Sequence, residues 1–228
     1  MKAVVIDNVK KMSLKNIEIP KPPSGWVRVK VKAAAVCATD LEVIDGNIPS
    51  SYPLIPGHEW SGVVDAVGSA QDEHWIDKRV VGSNDICCLV CPECRSGQWR
   101  NCASFREIGF KANGAYAEYM LVPAYALYQL PDDISFVQGA IIEPLGVALG
   151  VLDKAELKLG ETLTVIGAGS IGLNIIAVAK AMGAGIPYPV PPDKAFDLLR
   201  SERRAVGAAT RRDAGTEMKK RHTIKRVR

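Results

Sequence analysis

Four cysteines in one short stretch of this 228-residue sequence have the spacing of a metal site. Cys88, Cys91, Cys94 and Cys102 form a C-x2-C-x2-C-x7-C pattern. Four thiolates so close together suit tetrahedral Zn²⁺, which prefers sulfur ligands and needs no water when all four positions are filled. Disulfides are the alternative, but two-residue spacings make poor bridges and nothing indicates an oxidising compartment. We predict a structural zinc site, with the adjacent Cys87 as a small buried side chain.

A second set of candidate metal ligands is spread more widely along the chain. Cys37 follows an expected strand, and His58 and Glu59 stand side by side after Pro56 and Gly57. Adjacent residues can reach one metal only where the backbone is extended or irregular, which a proline-glycine pair permits. One Cys, one His and one carboxylate would make a three-ligand site with an open position, as in catalytic zinc sites. The alternatives are a Cys37 that packs as a small hydrophobe and a simple turn at His58 and Glu59.

A glycine-rich turn lies between a short apolar run at residues 163–166 and a nearly all-apolar helix predicted over 171–182. It fits the G-x-G-x-x-G pattern, which in this strand–turn–helix context binds the pyrophosphate of a dinucleotide at the helix N-terminus. The expected cofactor-binding residues are Gly167, Gly169, Ser170, Ile171 and Gly172. The motif also needs an acidic residue ~20 positions later, at the end of a second strand. Asp193 follows two prolines and no predicted strand, and a plain strand–helix turn is the alternative.

The elements that must position these residues begin with a β-rich segment of about 150 residues. Valines alternate with charged residues at 27–32, the period of a strand with one solvent-facing side. Similar short runs occur at 62–67, 79–82 and 115–122. A helix is predicted over 135–152, and its apolar sequence contains the charged residue Glu143. This series predicts a barrel or a pair of packed sheets, followed at 163–182 by the opening of a parallel α/β unit.

The charge of the chain is unevenly distributed. It has 29 Lys and Arg against 25 Asp and Glu, a net charge of +4. Residues 194–228 hold 12 of the basic and 4 of the acidic residues, whereas residues 1–193 hold 17 and 21. The body of the protein is therefore mildly acidic and offers no electrostatic basis for binding nucleic acid. No apolar stretch reaches the ~18 residues of a membrane helix and no signal peptide is evident, so we expect a cytoplasmic protein.

Five sequence elements together resemble those of one enzyme family. They are Cys37-x-Thr39-Asp40, Gly57-His58-Glu59-x-x-Gly62, the four-cysteine loop at 88–102, Glu143-Pro144-Leu145 and Gly167-x-Gly169-x-x-Gly172. In this order and at these spacings, over residues 1–185, the sequence resembles the zinc-dependent medium-chain dehydrogenase/reductase family of alcohol, polyol and threonine dehydrogenases. The elements at Glu59 and Glu143 resemble its sorbitol, threonine and butanediol branch.

The resemblance implies two domains of different class. A β-rich α+β GroES-like barrel is expected over 1–155, and an α/β Rossmann domain begins over 156–185 with its first strand, glycine turn and helix. From 186 to 228 the sequence departs from the family pattern, and we expect an irregular, disordered basic tail. A shifted reading frame or a truncated gene would produce this break near Gly185. Members of the family form homo-oligomers largely through the domain that is incomplete here, so the resemblance leaves the oligomeric state of this chain open.

The resemblance also implies two zinc ions, one catalytic and one structural, and a cofactor that is NAD or NADP. It assigns Cys37, His58 and Glu59 to the catalytic zinc, with Glu143 as an alternating or water-linked fourth partner. It assigns Thr39 to the proton relay from the substrate hydroxyl. The implied reaction is hydride transfer from a small alcohol, polyol or amino alcohol, activated as its alkoxide by zinc, to the nicotinamide.

One departure from the family pattern and two alternative functions accompany these expectations. Many relatives carry a relay His five residues after the first zinc ligand, whereas this chain has Glu42, which we expect to be a solvated helix residue. Because the cofactor domain is incomplete, the alternative function is a zinc-binding domain without catalysis. A basic arm for nucleic acid or anionic membrane at 194–228 is disfavoured, because charge runs are usually solvated chain.

Overall fold

The computed structural model describes residues 1–185, 188–190 and 206–207. The chain divides into two compact units between Glu143 and Pro144, earlier than the boundary at 155/156 that the sequence predicts. The difference has a packing cause. Ala148 and Leu152, on the helix that follows Glu143, are buried in the same hydrophobic cluster as the first strand of the second unit. That helix therefore belongs with the second unit.

A five-stranded antiparallel sheet forms the centre of the first unit. The strands of this unit are β1 (Lys2–Asn8), β2 (Lys11–Asn16), β3 (Trp26–Ala35), β4 (Glu59–Val67), β5 (Arg79–Gly82), β6 (Asp85–Ile86), β7 (Arg106–Glu107), β8 (Tyr119–Pro123) and β9 (Leu127–Gln129). The sheet has the order β8-β3-β4-β5-β9, while β1–β2 and β6–β7 are separate two-stranded pairs. Val27 and Val29 of β3 are buried and Lys30 is exposed, which confirms the strand predicted from alternation at 27–32.

Short helices connect these strands. They are α1 (Ala38–Ile44), α2 (Pro92–Arg95) and α3 (Phe136–Ala140), and α4 (Ile142–Lys154) follows them. The helix predicted over 135–152 is thus divided in two. Ser135 and Gln138 cap α3, because the Ser135 Oγ accepts from the Gln138 N–H at 3.2 Å and Gln138 Oε1 accepts from the Ser135 N–H at 2.9 Å. Pro144 lies in the first turn of α4, where its missing N–H is tolerated.

The core of the first unit consists of the inward-facing residues of the central sheet and the loops beside it. Val29 of β3 lies opposite Val64 of β4 on one side and Met120 of β8 on the other. All three are buried, with exposures of 0%, 0% and 2%. Such cross-strand apolar contacts stabilise the sheet and fix its register.

The second unit is a small parallel α/β arrangement. It contains most of α4, β10 (Thr164–Ile166), α5 (Ser170–Ala181), β11 (Tyr188–Val190) and β12 (Val206–Gly207), and the strand order is β11-β10-β12. Its buried residues include Leu163 and Val165 around β10 and Ile175 and Ala179 on α5. Within the part of the chain that the structure describes, no helix is long and apolar enough to cross a membrane.

Strands β11 and β12 lie inside the segment for which the sequence predicts an irregular, disordered tail. Both pair in parallel with β10. Pro189 stands opposite Val165, and β11 is an end strand of the described sheet, a position that tolerates a residue without an N–H. Asp193 and the rest of 186–228 lie outside the described residues.

Replacing Met120 by Ala should lower the free energy of unfolding by about 2–5 kcal/mol, because it leaves a cavity in the central core. Met12 offers a matched control, since its side chain is 52% exposed. Met12→Ala should change stability by no more than about 0.5 kcal/mol. Urea unfolding followed by circular dichroism measures both variants. Equal losses in the free energy of unfolding would contradict the assigned core.

Candidate metal centres

One group of possible metal ligands consists of Cys37, His58 and Glu59. A ligand atom from each lies within 4.8 Å of the others. Cys37 is the extended residue before α1, His58 precedes β4 and Glu59 is its first residue. Gly57, with φ +99, supplies the irregular backbone that lets two adjacent side chains converge, and a Cβ there would lie 2.6 Å from the Tyr116 ring. The structure thus brings together the three residues that the sequence proposes as catalytic zinc ligands.

Asp40 holds this group in place. Its carboxylate is 1% exposed and accepts three hydrogen bonds: from His58 Nδ1 at 3.1 Å, from the Cys37 N–H at 2.9 Å and from the Tyr116 hydroxyl at 2.6 Å. Because Nδ1 donates to Asp40, Nε2 is the His58 ring atom left for a metal. A carboxylate that orients a ligating imidazole in this way is a common feature of metal sites. The sequence analysis quotes Asp40 only as part of a motif, although its position as the third residue of α1 is a capping-box signal.

The ionisation of the group follows from burial and charge. Burial would raise the pKa of Asp40, but the hydrogen bonds from His58, Tyr116 and Cys37 bring it below its ordinary value. Burial would lower the pKa of His58, but Asp40 and Cys37 raise it to about 10. Burial raises the pKa of Glu59. Without a metal, the acidic neighbours therefore favour the protonated, positively charged form of His58. A bound cation would supply that positive charge instead.

The remaining residues proposed for this site lie close by. Thr39 Oγ1 is 3.4 Å from Cys37 Sγ. Glu143, half-buried in the first turn of α4, is not among the three converging ligands, and burial raises its pKa, with a smaller contribution from the charge of Glu59. Glu42 Oε2 accepts a hydrogen bond from Asn47 Nδ2 at 3.0 Å. Glu42 is thus engaged at the surface of its own helix and loop.

The four-cysteine loop forms the second group. Cys88 Sγ lies 3.6 Å from Cys102 Sγ and 3.9 Å from Cys94 Sγ, and all four sulfurs, with that of Cys91, lie within 4.8 Å of one another. Four sulfurs around Zn²⁺ at ~2.3 Å would be roughly 3.8 Å apart at the edges of the tetrahedron. All six cysteines of the chain are free, so the disulfide alternative is excluded in this structure.

Cys88 and Cys87 differ in their surroundings. Hydrogen bonds from the backbone N–H groups of Val90 and Cys91 lower the pKa of Cys88 to about 6, which favours the thiolate that a metal binds. Cys87 lies outside the group of four; its Sγ donates to the backbone oxygen of Trp99 at 3.7 Å. Burial and neighbouring thiolates raise its pKa to about 11. The half-buried Cys87 is thus the cysteine that the loop does not need for a metal.

The glycine turn joins β10 to α5. Gly167 has φ +91, which favours glycine, and Gly169 is the N-cap of α5 without a side-chain cap, so the first N–H groups of the helix are left for a ligand. A Cβ on Gly172 would lie 1.9 Å from the backbone oxygen of Gly167. Ser170 and Ile171 begin the helix between them. A helix N-terminus with uncapped N–H groups can bind an anion.

Comparisons with known proteins identify relatives of the chain. The family profile described as Alcohol dehydrogenase GroES-like domain matches residues 23–132. Galactitol 1-phosphate 5-dehydrogenase of Escherichia coli K12 is 37% identical over 185 residues, which are 81% of this chain and 54% of that protein. A structure from Sinorhizobium meliloti 1021, described as a zinc-binding dehydrogenase bound to NADP, is 31% identical, with TM-score 0.83, covering 91% of this chain and 69% of that one. An alcohol dehydrogenase (rspB) structure from Escherichia coli CFT073, complexed with NADH, is 28% identical, with TM-score 0.82. The match covers 92% of this chain and 70% of that one.

These matches show that the chain belongs to the zinc-dependent medium-chain dehydrogenase/reductase family, the family of the alcohol, sorbitol and threonine dehydrogenases. They confirm the fold class predicted from the sequence, a GroES-like domain followed by part of a Rossmann domain. The chain spans about half the length of the curated relatives it matches, 54% in four of them.

Replacing Asp40 by Asn should weaken metal binding at Cys37, His58 and Glu59 by ~10- to 100-fold, because the ring of His58 loses its charged hydrogen-bond partner. Competition with a chromophoric zinc chelator measures the affinity. Asp45→Asn, at the exposed end of the same helix, is the matched control and should leave it unchanged. Equal affinities for the parent and Asp40→Asn would refute the orienting role.

Replacing Cys94 by Ser should remove one bound zinc and lower the melting temperature by roughly 5 °C or more, because the loop loses its cross-link. Cys87→Ser is the control in the same loop and should keep both the zinc and the melting temperature. Metal analysis and thermal unfolding provide the measurements. If Cys94→Ser has the same melting temperature as the parent, the four-cysteine group has no structural role.

Proposed function

We propose that this chain supplies the catalytic domain and the start of the cofactor domain of a zinc-dependent, NAD(P)-linked dehydrogenase of small alcohols or polyols. The observation that carries the proposal is the convergence of Cys37, His58 and Glu59 within 4.8 Å, with the buried Asp40 behind His58. Sulfur, imidazole nitrogen and carboxylate oxygen together are a donor set that suits zinc and leaves a position open.

Zinc held by these residues would act as a Lewis acid that lowers the pKa of a substrate hydroxyl. The chain's own residues have distinct roles around it. Asp40 fixes the His58 ring so that Nε2 faces the metal position. Thr39, whose Oγ1 lies 3.4 Å from Cys37 Sγ, would take the proton of the substrate hydroxyl and pass it onward. Glu143 is a nearby carboxylate that could alternate with Glu59.

The four-cysteine group would hold a second, structural zinc. All four positions are filled by sulfur, so no open position is left for a substrate. Its proposed role is to fix the loop between β6 and β7. Zinc–thiolate sites require reduced cysteines, which supports the predicted cytoplasmic location.

The glycine turn supports a dinucleotide cofactor. Gly167, Gly169, Ser170, Ile171 and Gly172 would place the N–H groups of α5 against a pyrophosphate. One related structure contains NADP and another NADH, so the proposal covers NAD and NADP alike. The names of the relatives, a galactitol 1-phosphate, a sorbitol and an L-threonine dehydrogenase, favour a polyol or amino alcohol as substrate.

Metal content and turnover test the function together. The purified chain should contain two zinc ions, and Cys37→Ser should contain one while keeping its melting temperature. With zinc loaded, a panel of polyols and L-threonine should produce NADH or NADPH, measured at the nicotinamide absorbance band. Two zinc ions without cofactor binding would favour the alternative, a zinc-binding domain without catalysis.

Replacing Gly172 by Ala should weaken NADH or NADPH binding about tenfold or more, because the added Cβ meets the backbone oxygen of Gly167. Gly146→Ala is the control, since a Cβ at that position of α4 meets nothing within 4 Å. Quenching of tryptophan fluorescence on cofactor titration gives both affinities. A Gly172→Ala variant that binds as tightly as Gly146→Ala would argue against a cofactor at this turn.

A further inference from the structure

The strand pair β6–β7 brings a charged residue close to the candidate catalytic group. Asp85 of β6 pairs with Glu107 of β7. The buried Asn84, just before β6, donates from Nδ2 to the backbone oxygen of His58 at 2.7 Å and accepts from the N–H of Ile108 at 3.0 Å. Asn84 therefore links Ile108, the residue after Glu107, to the backbone of His58 through two hydrogen bonds.

A second contact ties the same segment to the site. The ring of Phe110 lies 5.0 Å from the imidazole of His58, with the two planes at 41°. The Phe110 N–H donates to the backbone oxygen of Glu107 at 3.2 Å. Residues 107–110 thus contact His58 through both Asn84 and Phe110, and Glu107 is fixed relative to the metal ligands.

The side chain of Glu107 has no protein partner among the described residues. Like Glu143, it is half-buried and makes neither an ion pair nor a side-chain hydrogen bond there. Burial raises the pKa of both groups, and the charge of Glu107 raises that of Glu143 further. Half-buried carboxylates without partners must be satisfied by water or by a ligand.

Charges of both signs surround Glu107. Arg100, His58 and Lys111 favour its ionised form, but Arg100 and Lys111 are exposed, where water and salt screen them, and His58 would be neutral as a metal ligand. Glu107, Glu143 and Asp85 are half-buried, so their charges are screened less.

We propose that Glu107 is a specificity-determining residue of the metal site, which selects neutral polyols or ammonium-bearing amino alcohols and disfavours phosphorylated polyols. The inference rests on the proposed function, because it needs a metal on Cys37, His58 and Glu59. An anion that approaches this metal meets the repulsion of Glu107, whereas a neutral ligand does not. The repulsion of one unit charge beside a partly buried site changes an anion's affinity by about 3- to 10-fold.

Cobalt(II) provides the test, because its visible bands report ligands on the metal. In the cobalt-loaded chain at pH 8, the bands that disappear in Cys37→Ser belong to this site. Imidazole serves as the neutral probe and thiocyanate as the anionic probe. Glu107→Gln should tighten thiocyanate binding by about 3- to 10-fold and leave imidazole within about twofold. Glu107→Met should behave the same way, and the exposed Glu73→Gln should change neither affinity.

The outcomes separate the two proposals. Cobalt bands that depend on Cys37, together with an unchanged thiocyanate affinity in both Glu107 variants, would overturn the specificity role and leave the proposed function standing. Equal tightening of imidazole and thiocyanate binding would overturn it too, because it would show that Glu107 acts by steric hindrance and not by its charge. An absence of bands that depend on Cys37 would defeat the proposed function, and the specificity role with it.

Discussion

The buried carboxylate of Asp40 is the interaction on which the candidate catalytic group depends. It joins three segments that are distant in sequence: the start of α1 through Cys37, the start of β4 through His58, and the loop before β8 through Tyr116. A buried carboxylate that lost these donors would cost several kcal/mol. The contacts that satisfy this charge therefore also bring the metal ligands together, so the fold and the site are stabilised by the same hydrogen bonds.

The two metal groups differ in how they are assembled, and this determines how far sequence alone reaches. The four cysteines lie in one loop, where spacing predicts their convergence without knowledge of the rest of the chain. Cys37 and His58 are brought together by the pairing of β3 with β4, which no local pattern encodes. Their residue types raised the possibility of a shared metal beside simpler alternatives, the family resemblance assigned them to it, and the role of Asp40 became visible only with the hydrogen bonds in place.

Elsewhere, the sequence was informative where periodicity is simple. The alternation around Val29 and the strand–turn–helix around Gly169 both correspond to elements of the structure. The predicted single helix over 135–152 is two helices: Ser135 caps the start of α3, Ile141 is its C-cap, and α4 begins at Ile142. Strands as short as β11 and β12 carry no periodicity of their own. They are recognised only by their hydrogen bonding to the two edges of β10.

The four-cysteine loop has a thermodynamic consequence. A metal that binds only the folded loop is a reversible cross-link, and it stabilises the native state by an amount that grows with the logarithm of free metal concentration. Cys94 and Cys102 are buried, so loss of the ion would leave their sulfurs in the interior without the positive charge that the metal supplies. With zinc held there, the lifetime of the folded chain would follow the zinc supply of its surroundings, and the amount of folded protein would become a measure of metal availability.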